Sequence, residues 1–276
     1  MATGGSTSRD ECSRILTPEE VDRLHRDIQL VSDFKRNKLE AEAKRNWDLF
    51  YKRNQTNFFK DRHWITREFP ELLQDTETRH LLEAGCGVGN TVFPLLEETT
   101  LFIYACDFSP RAVDFVKSHK LYDETRMRVF QCDLTQDDLS DHIPADTLDI
   151  VLLFFVLSAI SPDKMTSVVT NIYKVLRPGG LVLVRDYGLY DHAMLRFAPG
   201  HKISENFYVR QDGTRAYYFS EDKLAELFTV AGYQVIENKY IHKETTNIKE
   251  GLCVPRIFIQ GKYSKSITLH VNQQNQ

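Results

Sequence analysis

The sequence predicts an α/β protein built on a seven-stranded, doubly wound sheet with helices on both faces and a helical extension at its N-terminus. Three observations support this prediction. From residue 79 onward, short apolar runs alternate with amphipathic stretches, which is typical of a parallel sheet with crossover helices. The first apolar run ends in a glycine-rich loop, in LLEAGCGVGN at positions 81–90. Two further apolar runs near the C-terminus would complete seven strands.

The extension spans residues 17–78, after a tail over residues 1–16 that we expect to be disordered. Thr17 suits a helix N-cap, Pro18 suits the first helical position, and acidic residues follow in the first turn. Between residues 21 and 67 there are 12 Lys or Arg and 7 Asp or Glu. A solvated helical face is the ordinary interpretation of such a charge run, and an RNA-binding surface is the alternative. Apolar residues recur at mostly three- and four-residue spacing at Val21, Leu24, Ile28, Val31, Phe34 and Leu39.

The domain from 79 to 263 contains the predicted sheet. Helices are predicted near 90–98, 110–118, 135–141 and 163–176, and RPGG at 177–180 predicts a glycine-capped helix end. An irregular insert at about 187–218 follows, then a helix, two closing strands and a disordered tail over 264–276. The first five strands are assigned to HLLEAG, LFIYACD, RVFQCDL, LDIVLLFFVLS and GGLVLVRDYG.

Composition excludes several classes of protein. With 35 Lys plus Arg against 39 Asp plus Glu, the net charge is −4, so any contact with nucleic acid must be local. Five scattered cysteines without a C-x-x-C pair argue against a disulfide framework or a zinc site and fit a reducing compartment. We expect a cytoplasmic protein and leave a nuclear fraction open.

The longest apolar stretch, at 150–160, is too short to cross a bilayer, so no membrane partner is expected. His63 and His192 lack partners at metal spacing, so no metal is expected.

The glycine loop predicts a ligand site. Gly85, Gly87 and Gly89 should lie beyond the carboxyl end of the first strand, where open α/β sheets bind ligands. Glycines there permit positive φ and let a ligand approach the main chain. Because position 90 is Asn, the spacing differs from the G-x-G-x-x-G of dinucleotide enzymes.

Carboxylates at the next strand ends favour S-adenosylmethionine over other nucleotides. Asp107 lies 22 residues after Gly85, a distance at which such folds place a carboxylate on ribose hydroxyls. Asp133 and Leu134 end the third strand and can flank an adenine. Each signal is weak alone, since the glycines could form only a tight turn and Asp107 could cap the next helix.

Longer blocks carry a resemblance to a known family. NWDLFYKRNQTNFFKDRHW, ACDFSPRAV, VFQCDLT, RDYGLYDHAMLRF and ENFYVRQDGTR resemble the tRNA N3-methylcytidine methyltransferases, best in their short, methyltransferase-like protein 6 type. The resemblance spans roughly residues 14–263 and implies a Rossmann-like class I methyltransferase fold. It implies methyl transfer from S-adenosylmethionine to N3 of cytidine 32 in the anticodon loop of serine tRNAs, assisted by seryl-tRNA synthetase. It places cofactor contacts on Trp47, Tyr51, Gly85, Asp107, Asp133, Leu134 and Phe154.

Trp47 and Tyr51 are four residues apart, so they share one helical face. They could close over the cofactor as a lid. A staple that fixes the helix to the sheet is the alternative.

The reaction that the resemblance implies requires residues that stabilise the methylated base and residues that bind the RNA. Neutral cytosine has a lone pair on N3, so no general base is needed, but the product is a cation that an acceptor should stabilise. Asp186, at the end of VLVRDYG, is the candidate, with a helix cap or a partner of Arg185 as alternatives. The base must leave its stack, and aromatic residues interleaved with arginines in the insert suit that task. The candidates for substrate binding are Tyr190, Arg196, Tyr208, Arg210 and Arg215.

Two other functions stay open at this stage. A small-molecule or protein methyltransferase could share the fold, because fold and cofactor do not determine the acceptor. A noncatalytic RNA-binding adaptor could keep the pocket for stability. The arginine-rich and aromatic insert weighs against the first alternative, and the intact loop with Asp107 and Asp133 weighs against the second.

Overall fold

The protein is described from a computed structural model, in which residues 14–74, 79–247 and 252–267 are described. The α-helices are α1 Pro18–Arg26, α2 Asp33–Ala41, α3 Ala43–Asn54, α4 Ile65–Glu68, α5 Val92–Glu98, α6 Pro110–Lys117, α7 Pro162–Val175, α8 His192–Leu195 and α9 Glu221–Val230. The strands are β1 His80–Ala84, β2 Phe102–Asp107, β3 Met127–Gln131, β4 Leu148–Phe154, β5 Leu176–Tyr187, β6 Lys202–Ser204, β7 Phe207–Val209, β8 Arg215–Tyr217, β9 Tyr233–Asn247 and β10 Leu252–Lys265.

The main sheet has seven strands in the order β3-β2-β1-β4-β5-β10-β9, which confirms the predicted fold class. The first five strands are parallel, and β10 runs antiparallel to both β5 and β9. The last strand ends at Lys265, two residues past the predicted boundary at 263. Residues 268–276 of the predicted C-terminal tail lie outside the described residues.

Helices cover both faces of the sheet, as predicted. Alternate side chains of β1 enter different apolar cores: Leu82 packs in the core formed with α7 and α9, and Leu81 packs in the core formed with α5 and α6. The carboxyl ends of β1 to β5 therefore share one edge, where a ligand site is expected.

Two local predictions in this domain are wrong. The predicted helix at 135–141 is only a 3-10 turn, Leu139–Asp141. The carboxylates of Asp133 and Asp138 accept from backbone N–H groups two residues ahead, at 3.0 and 2.9 Å, and such contacts compete with helix formation. The helix before RPGG ends without a glycine cap, because β5 begins directly after it. Gly179 (φ +77°) instead lies in β5, at the point where the pairing of β5 with β4 changes register.

The extension is helical, but its predicted apolar stripe is partly wrong. Thr17 caps α1 in a capping box with Glu20, as predicted for the N-cap. Leu39 is buried, whereas Ile28 and Phe34 are 80% and 79% exposed. The stripe breaks because α1 ends at Arg26 and α2 begins at Asp33, so one helical period does not run through both. Residues 1–13 and 75–78 lie outside the described residues.

The insert, predicted to be irregular, forms a small antiparallel sheet in the order β6-β7-β8 together with α8. It is tied to the extension by hydrogen bonds distant in sequence. The backbone N–H of Val31 donates to the Lys202 carbonyl at 2.8 Å, and the Asn46 side-chain amide donates to the Gly213 carbonyl at 3.2 Å. Extension and insert therefore pack as one structure above the strand ends.

Candidate active site

A cavity of about 280 Å³ lies between the strand ends and the extension. This volume is close to the lower end of the range of about 300–1,000 Å³ typical of small-molecule sites. The cavity brings together six of the eight residues predicted to bind a cofactor: Trp47, Tyr51, Gly85, Asp107, Asp133 and Leu134. We call it the larger cavity. The other two predicted residues, Gly87 and Phe154, line an adjoining space of about 60 Å³, the smaller cavity.

The glycine loop has the backbone predicted for it. Gly85, Gly87 and Gly89 have φ of +74°, +53° and +92°, which other residues rarely adopt. Packing adds a second reason for glycine. A Cβ on Gly85 would lie 2.5 Å from Val156 Cγ2, and one on Gly87 would lie 3.1 Å from the Tyr51 hydroxyl. Glycine is therefore required in this loop partly because neighbouring side chains occupy the space that a Cβ would take.

Asp107 organises this loop. Its Oδ2 accepts from the Gly87 N–H at 3.0 Å, and its Oδ1 accepts from the Ser109 N–H at 2.9 Å. The N-cap of α6 is Ser109, so the alternative role of Asp107 as a helix cap is wrong. Burial raises the pKa of Asp107 to about 6, although these N–H donors oppose the rise. A carboxylate offers about four lone-pair sites, so Asp107 keeps acceptor capacity for hydroxyl groups facing the cavity.

Asp133 and Leu134 lie at the end of β3, where the sequence places them. Asp133 Oδ1 accepts from the Thr135 N–H and hydroxyl at 3.0 and 2.7 Å, and Oδ2 accepts from Gln136 Nε2 at 2.9 Å. Leu134 is buried beside it in the wall of the larger cavity. A carboxylate next to an apolar surface can accept from an exocyclic amine while the surface packs on the ring.

Helix α3 is stapled to the sheet domain and lines the cavity, which agrees with one of the two interpretations of Trp47 and Tyr51, and their closure as a lid stays a prediction. The Ser109 hydroxyl donates to Asp48 Oδ1 at 2.8 Å, which fixes α3 against α6. Tyr51 is buried, which raises the pKa of its hydroxyl well above the ordinary value. The Trp47 ring lies 5.9 Å from the Tyr51 ring, measured between centroids. The aromatic pair forms one side of the larger cavity.

The smaller cavity contains residues that sequence reasoning missed. Phe154 lines it, but its ring stacks on Phe69 at 5.4 Å between centroids, so most of it belongs to the core. Phe155 lines both cavities and has φ +62°, a costly backbone for a non-glycine residue that often marks a functional site. Arg62 lies over the Phe155 ring, with its guanidinium carbon 5.4 Å from the centroid. Arg62 lies in a basic segment and in the block NWDLFYKRNQTNFFKDRHW, but neither feature distinguishes it from its neighbours.

Asp186 lies behind the cavity wall. It is fully buried and lines neither cavity. Its Oδ2 accepts from the Ser158 N–H at 3.0 Å and its Oδ1 from the Tyr187 N–H at 2.9 Å, and both of these residues line the smaller cavity. Burial raises the pKa of Asp186 to about 6. This geometry corrects the predicted catalytic role to that of a positioning residue.

Arg185 is not the partner of Asp186, so that alternative is wrong. Its guanidinium instead donates to the carboxylate of Glu68 and to the side-chain oxygen of Gln260.

The five predicted substrate-binding residues divide by burial. Tyr208 is only 1% exposed and stacks on Phe197 at 4.7 Å, so it forms the core of the insert and offers no surface to a base. Tyr190 lies at the edge of the same core, with φ +62°. Arg215 lines both cavities, and the guanidinium carbon of Arg210 lies 5.5 Å from the Tyr187 ring centroid in the smaller one. Burial of Tyr208 follows from its central place in the three-stranded sheet.

Arg196 lines an open groove between α3 and the insert, with a volume of about 830 Å³. We call it the arginine–aromatic groove. Arg210 lines both this groove and the smaller cavity, so the two spaces adjoin. Cationic side chains beside aromatic rings are the usual combination for single-stranded nucleic acid. The groove includes Arg53, Phe58, Arg196, Phe197, His201, Arg210 and Tyr218.

The described residues contain neither a candidate metal site nor a candidate membrane span. No group of three or more His, Cys, Asp or Glu in that part of the chain could hold a metal ion. His63 instead forms an ion pair with Glu98, with Nδ1 2.9 Å from Oε1, and this contact raises its pKa. None of the described helices has the length and apolarity to cross a membrane.

Comparisons with known proteins agree with this geometry. Residues 82–182 match a family described as a methyltransferase domain. The chain is 63% identical to the human tRNA N(3)-cytidine methyltransferase METTL6, over 92% of this chain and 91% of that protein. It is 41% identical to the METTL2 enzyme of Xenopus tropicalis, over 84% and 80%. An S-adenosylmethionine-dependent methyltransferase of Anabaena variabilis shares the fold with a TM-score of 0.59 at 12% identity, over 80% of this chain and 94% of that one.

Proposed function

Because this chain belongs to the tRNA N(3)-cytidine methyltransferase family, we propose that it methylates cytidine 32 in the anticodon loop of serine tRNAs. The family supports the reaction class, an S-adenosylmethionine-dependent transfer to N3 of cytidine in tRNA. Position 32, the serine isoacceptors, seryl-tRNA synthetase as partner and a cytoplasmic location are the proposed refinements. They rest on the resemblance of the insert and extension blocks.

The larger cavity suits the cofactor. S-adenosylmethionine, when bound, supplies a methyl group on a positively charged sulfur. Asp107 would accept from ribose hydroxyls, and Asp133 with Leu134 would hold the adenine. Gly85 lies in the cavity wall at the strand end, and Trp47 with Tyr51 forms the part of the wall contributed by α3.

The observation that carries the proposal is the wall shared by the two cavities. Both are lined by Trp47, Tyr51, Gly85, Phe155, Ala159 and Arg215. A base in the smaller cavity would therefore lie next to the ligand of the larger one, which is the arrangement that direct methyl transfer requires. Through Arg210 the smaller cavity adjoins the arginine–aromatic groove, where neighbouring nucleotides can stack.

Two of the three arginines around the smaller cavity have carboxylate partners, which lowers the positive charge that a base becoming a cation would meet there. Three arginines line it, but Arg62 pairs with Glu83 at 3.7 Å and donates to the Thr91 hydroxyl at 2.9 Å. Arg215 pairs with Glu40, and Arg210 donates to the Arg215 carbonyl at 2.9 Å. The carboxylate of Asp186, held behind Ser158 and Tyr187, adds negative charge on one side. Neutral N3 needs no proton acceptor, so these residues act by positioning and electrostatics.

The proposed function predicts which tRNAs the protein methylates. Purified protein with labelled S-adenosylmethionine should modify serine tRNA, and addition of seryl-tRNA synthetase should raise the rate. A serine tRNA with uridine at position 32 should take no label, because uracil carries a proton on N3. Labelling of the uridine variant, or equal labelling of unrelated tRNAs with and without synthetase, would contradict the proposal.

The basic extension yields a second prediction. Lys35 and Lys38 are exposed on α2 and form no ion pair within the described part of the chain, whereas Arg36 pairs with Asp33. Changing both lysines to glutamate should weaken tRNA binding and reduce the slope of log affinity against log salt by about 1 to 2, because fewer counterions are released. Binding titrations at several salt concentrations measure this slope.

The matched control is the pair of changes Lys117→Glu and Lys120→Glu, at exposed lysines on and just after α6, outside extension and insert, which also form no ion pair within the described part of the chain. They alter net charge equally and should leave the slope unchanged. Lys44 and Arg45 belong to the same predicted basic surface. Lys44 is left intact because it lines the larger cavity, and Arg45 because it pairs with Glu42. An unchanged slope in the Lys35 and Lys38 variant would leave a solvated face as the better interpretation.

A further inference from the structure

Glu40, on α2, connects three parts of the protein at the larger cavity. One carboxylate oxygen accepts from the Lys164 ammonium on α7, and the other accepts from the Arg215 guanidinium on β8. All three side chains line the cavity. Arg215 has only 7% of its side chain exposed and also donates to the Ala159 carbonyl at 3.3 Å. Glu40 is thus the carboxylate partner of two cations that face the ligand space.

The charges that line this cavity balance. The cations are Lys44, Lys164 and Arg215, and the carboxylates are Glu40, Asp107 and Asp133. Burial alone would raise the pKa of Glu40, but hydrogen bonds from Lys164 and Arg215 outweigh it and hold the pKa below its ordinary value. Glu40 is therefore ionised at neutral pH. Without it, the cavity would carry a net positive charge.

We propose that Glu40 is a positioning residue that, by offsetting part of the positive charge of Lys164 and Arg215, sets the preference of the larger cavity for the positively charged sulfur of S-adenosylmethionine over the neutral sulfur of S-adenosylhomocysteine. The inference rests on the cofactor assigned above. The two compounds share adenine, ribose, amine and carboxylate, and they differ in one methyl group and one charge. Their affinity ratio therefore isolates the electrostatic effect.

A purely structural role for Glu40 predicts a different effect of its loss on the two affinities. If Glu40 only ties the extension to the insert, its loss weakens both compounds by the same factor. If it tunes charge, the cationic compound loses more. Unit charges several ångströms apart, at an effective dielectric constant of about 20, interact strongly enough to shift affinity roughly three- to tenfold after screening by solvent.

The test is calorimetric titration of both compounds into the full-length protein without RNA. In Glu40→Gln, the affinity for S-adenosylmethionine should fall about three- to tenfold further than that for S-adenosylhomocysteine. The single change Lys164→Gln should shift the ratio the opposite way, because it leaves excess negative charge. Combining the two changes should bring the ratio back towards that of the unaltered protein.

The control is Asp138→Asn, which removes the acid of an exposed ion pair with Lys174 that lines neither cavity. It should leave the ratio unchanged. Equal weakening of both compounds in Glu40→Gln, or shifts of the same sign in Glu40→Gln and Lys164→Gln, would overturn the inference. If the unaltered protein binds neither compound, the cofactor assignment itself fails, which is a distinct outcome.

Discussion

Replacing Asp186 with asparagine is expected to slow methyl transfer about 10²- to 10³-fold at saturating RNA, the usual cost of losing one preorganised electrostatic partner. The substitution keeps the shape and one acceptor oxygen but removes the negative charge behind Ser158 and Tyr187, where the methylated base becomes a cation. Single-turnover rates separate this effect from weaker binding. The affinities for S-adenosylhomocysteine and tRNA should change little by comparison.

Asp186→Asn also has a structural cost that must be measured beside the rate. Each carboxylate oxygen accepts one backbone N–H, and an asparagine can replace only one of these acceptors. An unpaired buried N–H costs about 1–3 kcal/mol, so the thermal midpoint should fall modestly. If the variant transfers methyl at the original rate, or if the whole loss lies in RNA affinity, Asp186 has no electrostatic part in the transfer.

Replacing Asp107 with alanine is expected to reduce cofactor affinity about 10- to 150-fold, since a hydrogen bond to a charged group is worth about 1.5–3 kcal/mol. The loss has two sources. The ribose loses its acceptor, and the N–H groups of Gly87 and Ser109 lose theirs, so the glycine loop loosens. Calorimetry with S-adenosylhomocysteine measures the change.

The fold should survive the loss of Asp107, because burial of this carboxylate is unfavourable, as its raised pKa shows. Asp107→Asn is the matched control, since it keeps one acceptor oxygen and should fall between the other two proteins in affinity. Unchanged affinity in the alanine variant would mean that Asp107 serves the loop and not the ligand.

The sheet and the strand-end residues were predictable because they depend on local patterns. Alternation of apolar runs identifies strands, and parallel strands bring their carboxyl ends to one edge, so Gly85, Asp107 and Asp133 had to lie near one another. Each of these residues reaches the site through a short, local turn. The same reasoning locates Asp186 at the correct strand end. It cannot show whether the side chain lines the cavity or is buried behind the residues that do.

The rest of the site depends on contacts between distant residues, which no local pattern reports. Glu40 meets Arg215 across 175 positions, and nothing near either residue indicates the other. Within the apolar run at 150–160, the sequence could not show which of Phe154 and Phe155 enters the core and which faces the cavity, because the two side chains are identical. The substrate-binding role predicted for Tyr208 depended on its place among aromatic residues and arginines, whereas all three residues of its short strand are buried, so no alternation distinguishes an exposed face.

The hydrogen bonds between extension and insert limit the order in which the protein can fold while it is being synthesised. Arg23 donates to the Leu195 carbonyl 172 positions later, and Lys202 donates to the Asp27 carbonyl 175 positions earlier. At roughly 5–20 residues per second, a ribosome needs about 9–35 seconds to make the intervening chain. During that interval α1 and α2 have emerged without their partners, and Leu39, which is buried with insert residues in the folded protein, is still uncovered. We expect the nascent extension to be the part of this chain that most depends on chaperones, and the active site to close only after β8 leaves the ribosome.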